Sequence, residues 1–439
     1  MECRFCKTPL SDTFIDLVSS PASNSFLTKD QIDEPEVYFP LKVYTCSKCY
    51  LVQIAEYKKS DAIFNDEYVY FSSYSSSWLK HAKKYAQLMI DRFKFNEDSQ
   101  VVEIASNDGY LLQYFKEKGV PVLGIEPTLN TAEVARSKGI ESINEFFGTS
   151  LARELSKTRQ ADLLLGNNVL AHVPDIVDFV KGMKLMLKKQ GVITMEFPHL
   201  IQLIKNNQFD TIYHEHFSYL SLYSVKQIFE SEGLEIFDVD ELSTHGGSLR
   251  IYAKHVEDHS KVVSNRVRVL LDTEISLGVN SMEYYKNFEK KALKIKMEFL
   301  NFLLQEKYAG KTVAGYGAAA KGNTLLNYCG IKNDLIQFVV DANPHKQNKW
   351  LPGCHIPVVA EEQLKLQRPD FVVIFPWNLK EEIMEQLDYI REWKGHFVIP
   401  IPTLQVISSI SHKKSLLPRI ISLSRRAAAG LSGFSYFVD

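Results

Sequence analysis

The sequence contains no run of about 18 apolar residues, so no segment is suited to span a bilayer as a helix. Its opening residues, Met1-Glu2-Cys3-Arg4-Phe5-Cys6, lack the basic and apolar stretches of a secretory leader. Charge imbalance is missing too: 51 Lys and Arg stand against 53 Asp and Glu, a formal net charge of -2. Nothing global therefore attracts nucleic acid or an anionic membrane. These absences predict a cytoplasmic protein. Cysteine is scarce, with 6 in 439 residues, which excludes a disulfide scaffold. Repeats and low-complexity tracts are absent, and the 45% apolar and 24% charged content is that of a globular protein, not a disordered one. At about 150 residues per domain, the length predicts two or three domains.

What cysteine there is lies close together. Cys3-x-x-Cys6 and Cys46-x-x-Cys49 form two knuckles whose thiolates can converge on one Zn²⁺. Four thiolates fill the tetrahedron and leave no position for water, so the metal is expected to stabilise a small module, not to catalyse. Short strand-like runs at 37–39 and 41–44, broken by prolines, complete this module over 1–62. A helical pattern at 78–93 then leads into alternating strands and helices, with strands expected at 101–105, 121–125, 161–166, 191–196 and 249–253. That alternation predicts a parallel, helix-covered sheet over 63–255. A charged helical stretch runs to about residue 308. A second strand and helix series follows, with strands at 312–315, 336–340, 371–375 and 396–399, giving another α/β domain within 256–407. The tail 408–439 is basic, with an apolar set at helical spacing (Leu416, Leu417, Ile420, Ile421). It reads as a helix packed on the preceding domain, or as one that contacts a membrane or a partner.

Several motifs carry chemistry. Glu103-Ile104-Ala105-Ser106-Asn107-Asp108-Gly109 ends a strand in a tight turn into a helix, where open α/β sheets bind ligands. Glu126, ending the next strand, is placed for a ribose hydroxyl pair. Five of twelve histidines fall between His172 and His245. His172 follows Asn167-Asn168, and Tyr213-His214-Glu215-His216 offers a phenol, a carboxylate and two imidazoles, enough to abstract a proton and stabilise an enolate. A zinc site competes for His214 and His216, although the helical His-Glu-x-x-His spacing is absent. His245-Gly246-Gly247-Ser248-Leu249-Arg250 suits an anionic or sugar ligand, and equally a plain hairpin turn. Gly315-Tyr316-Gly317-Ala318-Ala319-Ala320 matches a dinucleotide fingerprint, with Asp341 ending the following strand. It fits an NAD-dependent nucleotide-sugar oxidoreductase, or a cradle for the diphosphate of an activated substrate with Lys321 adding charge.

In combination and order, these motifs and Tyr68-Val69-Tyr70-Phe71-Ser72-Ser73 resemble the three-domain sugar C-methyltransferases that act on nucleotide-linked 4-keto deoxysugars. The resemblance spans about residues 3–407. It implies a zinc module, a central Rossmann-like S-adenosylmethionine domain and a C-terminal Rossmann-like domain that holds the nucleotide. It implies cofactor contacts from Glu103, Ala105, Ser106, Asn107, Asp108, Gly109, Glu126, Asn167 and Asn168. Substrate contacts are implied for His245, Gly247, Arg250, Tyr316, Gly317, Lys321 and Asp341. It also implies His216 as base, with Glu215 orienting or acting on the substrate and Tyr213, His172 and Tyr70 as donors at the keto oxygen. Ala105 stands where the family has glycine, one methyl larger at a tight turn.

Overall fold

The computed structural model describes residues 1–57, 59 and 71–408. Tyr70 and the tail 409–439 lie outside them. Phe14, Ile15 and Leu17 on one strand and Leu41 and Val43 on the next are buried, and this shared apolar face pairs Asp12–Ser20 with Phe39–Thr45 antiparallel. Val52–Ile54 extends the sheet, and its fourth strand, Ser218–Tyr219, arrives from the middle of the chain. The strand expected at 37–39 is corrected: Val37 and Tyr38 are exposed, and the strand begins at Phe39. Pro40 is its second residue, close to the end where a missing N–H is tolerated. The strand Asp12–Ser20 escapes sequence reading because register shifts after Thr13 and Asp16 break the two-residue alternation.

The central sheet has seven strands in the order Leu234–Leu242, Ser248–His255, Leu187–Pro198, Ala161–Asn167, Val101–Ile104, Val122–Ile125, Ser142–Ile143. The last five are parallel, and Ser248–His255 runs antiparallel between its neighbours. The chain enters at Val101–Ile104 and winds outward to both sides, so the carboxyl end of this strand is the switch point where an open sheet leaves a crevice. A second seven-stranded sheet has the parallel core Pro357–Val359, Val339–Val340, Val313–Tyr316, Phe371–Ile374 and His396–Ile399, with antiparallel edges at Lys349–Trp350 and Gln405–Ile407. The strand expected at 336–340 is thus shorter.

The helix Phe288–Tyr308 joins these bodies. Its Phe288 stacks on Phe14 of the first sheet at 4.6 Å, and its Phe302 meets Phe371 of the last edge-on at 5.2 Å. One continuous core therefore holds the N-terminal sheet and the C-terminal module, while Cys3, Cys46, Cys49 and Leu51 pack into the core of the central sheet. The small N-terminal module is wedged between the two larger ones. No helix among the described residues is long and apolar enough to cross a membrane.

Candidate active site

The turn after Val101–Ile104 bends sharply because three nearby residues take the left-handed region: Ala105 (φ 57°), Asn107 (φ 49°) and Gly109 (φ 75°). At Gly109 a β-carbon would lie 2.5 Å from Ile140 Cδ1, so glycine is required there on two counts. Glu126 locks the turn, its Oε2 accepting from Asn107 N at 2.9 Å and its Oε1 from Thr128 N at 2.9 Å. Burial pushes the Glu126 carboxyl up, opposed by the hydrogen bonds from Thr128 and Asn107. Ala105, Asn107, Glu126, Asn167 and Asn168 all line one cleft of about 1310 Å³. A crossed-over backbone turn beside a carboxylate at the end of the next strand fits a nucleoside with a ribose diol. Ala105 carries the cost of its methyl group at positive φ. Ala105→Gly is expected to stabilise the protein by about 1 kcal/mol, read as a raised unfolding midpoint; a lowered midpoint would refute the strain.

Four of the turn's expected cofactor residues support the loop and do not face the cleft. Glu103 is fully buried behind it, and burial raises its carboxyl well above the usual range. Ser106 packs where Gly124 has no side chain, Gly109 packs on Ile140, and Asp108 accepts from Lys138 at 3.3 Å.

Opposite the turn, Thr211 at the end of the segment Phe209–Thr211 and Tyr213, Glu215 and His216 of the tight turn that follows line the same cleft. The turn, closed by His216 N donating to Tyr213 O at 2.9 Å, sends the two histidines different ways. His214 points Nε2 at the carbonyls of Phe39 and Pro40, both 3.3 Å away in the N-terminal sheet. His216 faces the cleft with its Nδ1 2.9 Å from Thr211 O. A carbonyl only accepts, so Nδ1 carries the proton and Nε2 is left with its lone pair. The Tyr213 ring lies 4.0 Å from His216, and His172 meets it edge-on at 4.6 Å. Burial holds His216 well below its ordinary value, with His172 next in effect, and burial lowers His172 and His245 to about 4. All three are therefore neutral at pH 7. The zinc alternative for His214 and His216 falls, because the four cysteines are the only metal-competent cluster among the described residues.

The third wall comes from the C-terminal module. Lys321, in the first turn of the helix Ala320–Cys329, donates to Asn378 Oδ1 at 2.9 Å and lies 4.4 Å over the Trp377 ring. Trp377 Nε1 donates to Asp210 Oδ2 at 2.7 Å, which clasps this module to the segment before Tyr213. Burial lifts Asp210 to about 6, and burial lowers Lys321. The Lys321 charge also helps to depress His216 and His245. His245 and Asp341 line the cleft.

Arg250, Gly247, Tyr316 and Gly317 do not line the cleft. Arg250 is buried, its Nη2 2.6 Å from Glu196 Oε2 and its guanidinium 4.6 Å from the Tyr85 ring. Its role is to hold Glu196, which in turn accepts from Thr244 Oγ1 at 2.9 Å and so anchors the His245 turn. Gly247 backs onto Gln202, and Tyr316 Oη accepts from Gln386 Nε2 at 2.8 Å. A β-carbon at Gly315 would meet Phe375 at 2.5 Å, and one at Gly317 would meet Pro376 at 2.4 Å. The dinucleotide-like glycines are thus explained by packing within their own module, and Asp341 Oδ2 already accepts from Ala318 N at 2.8 Å. Sequence reading missed Asn24, Trp78, Asn343 and Lys346 in the cleft, because their importance arises from neighbours distant in the chain.

Cys3, Cys6, Cys46 and Cys49 bring their sulfurs within 4.8 Å of one another, with Cys3 to Cys49 at 3.5 Å and Cys6 to Cys46 at 3.4 Å. Sulfurs about 2.3 Å from a tetrahedral Zn²⁺ lie somewhat under 4 Å apart, so the cluster fits that ion. Gln53 Nε2, 3.1 Å from Cys3 Sγ, adds the hydrogen-bond support thiolates need.

Comparison with known proteins matches three stretches of the chain. Residues 3–64 match a zinc binding domain, 78–239 a methyltransferase domain and 243–402 a C-methyltransferase C-terminal domain. C-methyltransferase NovU of Streptomyces niveus is 36% identical over 416 residues, covering 93% of this chain and 97% of that protein. Among solved structures, an S-adenosylmethionine-dependent methyltransferase from Clostridium acetobutylicum superposes with a TM-score of 0.33 at 14% identity, over 40% of this chain and 92% of that one. Magnesium protoporphyrin IX methyltransferase from Synechocystis, solved with bound SAM, gives 0.31 at 12% identity, over 40% and 78%.

Proposed function

The chain belongs to the C-methyltransferase family, as an S-adenosylmethionine-dependent enzyme with a zinc-binding N-terminal module, and from that premise we propose that it methylates the carbon beside the ketone of a nucleotide-linked 4-keto deoxysugar, at C3. The product would be a branched sugar. The single observation that carries this reading is the meeting of a neutral His216, with Nε2 unprotonated, and the Asn107–Glu126 turn in one cleft.

S-Adenosylmethionine supplies, when bound, an electrophilic methyl group on a sulfonium. The remaining chemistry falls to the chain. A carbon next to a ketone is not nucleophilic until its proton leaves, and His216 Nε2 is the base in this reading. Tyr213, His172 and Tyr70 donate to the developing enolate oxygen, and Glu215 orients the substrate. Donors held in position before such a charge develops stabilise it without reorganising. Lys321 adds a fixed positive charge to the same wall. Asn343, Lys346 and Asp341 line the same cleft and hold the nucleotide end in this reading. The oxidoreductase alternative loses its support with the family assignment, and with the internal packing of Gly315 and Gly317.

The test is the heat of binding of S-adenosylhomocysteine and of NAD, each with a panel of nucleoside diphosphates. S-Adenosylhomocysteine binding enhanced by one nucleotide supports the reading and names the carrier. Binding of NAD alone would overturn it. A pH prediction follows from the charges. Because His216 and His245 are depressed, the acid limb of kcat/KM should lie below pH 6.5. Lys321→Met removes a cation that disfavours their protonation, so both pKa values rise and the limb moves to higher pH. A limb that stays in place would show that Lys321 does not act on these histidines.

A further inference from the structure

The loop that follows Asp12–Ser20 is held on three sides. Ser25 N donates to Ala22 O at 3.0 Å, closing a turn. Leu27 and Trp350 exchange backbone hydrogen bonds of 3.0 and 2.9 Å with each other, tying the loop to the C-terminal module. Gly353 admits Pro21 so closely that a β-carbon there would lie 2.9 Å from Pro21 Cδ. At the apex Asn24 enters the cleft, and its Nδ2 donates to Glu215 Oε1 at 2.7 Å. The donor belongs to the zinc module and the acceptor to the catalytic turn, 191 residues later.

We infer that Asn24 is a positioning residue, through which the zinc-bearing module sets the orientation of the Glu215 carboxylate in the cleft. This rests on the catalytic reading of Glu215. An amide suits the task because it donates one directed hydrogen bond and adds no charge of its own. A carboxylate held this way presents a fixed rotamer to the substrate, and a misplacement of about 1 Å at a reacting group can lower the rate about 100-fold. The same loop touches the C-terminal module, so the position of Glu215 depends on all three parts of the chain.

The test compares Asn24→Ala and the near-isosteric Asn24→Leu, neither of which can donate to Glu215 or adds a charge beside it, using the zinc-loaded full chain and a nucleotide-linked 4-keto deoxysugar. Both should lower kcat by about 10- to 100-fold, the value of a hydrogen bond to a charged group. Zinc content and S-adenosylhomocysteine affinity should be unchanged. In a Glu215→Gln background, replacing Asn24 should cost nothing more, because its effect passes through that carboxylate. Unchanged kcat in either variant, or an equal loss in the Glu215→Gln background, overturns the inference while leaving the methyltransferase reading intact. Should Asn24→Ala shed zinc, Asn24→Leu decides, since it keeps the shape of the side chain. A wild-type protein that methylates no such sugar overturns the reading itself and this inference with it.

Discussion

His216→Asn is expected to lower kcat by about 10²- to 10⁴-fold, the usual contribution of a positioned general base, with S-adenosylhomocysteine affinity unchanged. Asparagine keeps an N–H donor near the Thr211 carbonyl, which now receives the imidazole Nδ1 at 2.9 Å. The turn is therefore retained and only the basic lone pair is lost. The neighbours give no substitute: His172 is itself held at about 4 by burial and stands edge-on to the ring at 4.6 Å. A second readout separates the base from the methyl transfer. With S-adenosylhomocysteine in place of the methyl donor, the wild type should exchange the proton beside the ketone with deuterated solvent, and the variant should not. Near-normal turnover, or retained exchange, would remove His216 as the base.

Cys46→Ser should release zinc and abolish activity, even though the cluster lies outside the catalytic cleft. Structural zinc in small modules contributes about 10–16 kcal/mol of apparent binding free energy, and much of that is folding free energy. Here the module's order reaches the active site by three routes. Arg4, between Cys3 and Cys6, donates to Pro174 O at 2.7 Å and lies 5.4 Å from the Phe217 ring, so it touches the segments that follow His172 and His216. Ser218–Tyr219, two residues past His216, is the fourth strand of the module's sheet. Asn24 holds Glu215 directly. Metal analysis should show loss of one zinc per chain, and turnover should fall with it. Zinc content equal to the wild type would show that the four-cysteine site is wrong, and full activity in a zinc-free protein would show that the module does not order the catalytic turn.

Much of this protein was legible in the sequence because the signals are local. Cys-x-x-Cys pairs, strand periodicity and the Glu103–Gly109 turn each depend on residues a few positions apart, and backbone geometry alone brings such residues together. The zinc module, the parallel cores of two sheets and the neighbourhoods of the cofactor turn and of Tyr213–His216 followed from that. Tertiary structure decided the rest. Whether a motif residue faces the cleft or supports it depends on what packs behind it: Arg250 turns to Glu196, His214 to the Phe39 and Pro40 carbonyls, and Gly315 and Gly317 yield their space to Phe375 and Pro376. The free lone pair on His216 Nε2 was not in its spacing either. It comes from the Thr211 carbonyl that fixes its tautomer and from burial that keeps it neutral. Asn24, Trp377 and Asp210 carry no motif at all, because hydrogen bonds across 191 and 167 residues exist only once three modules have closed around one cleft.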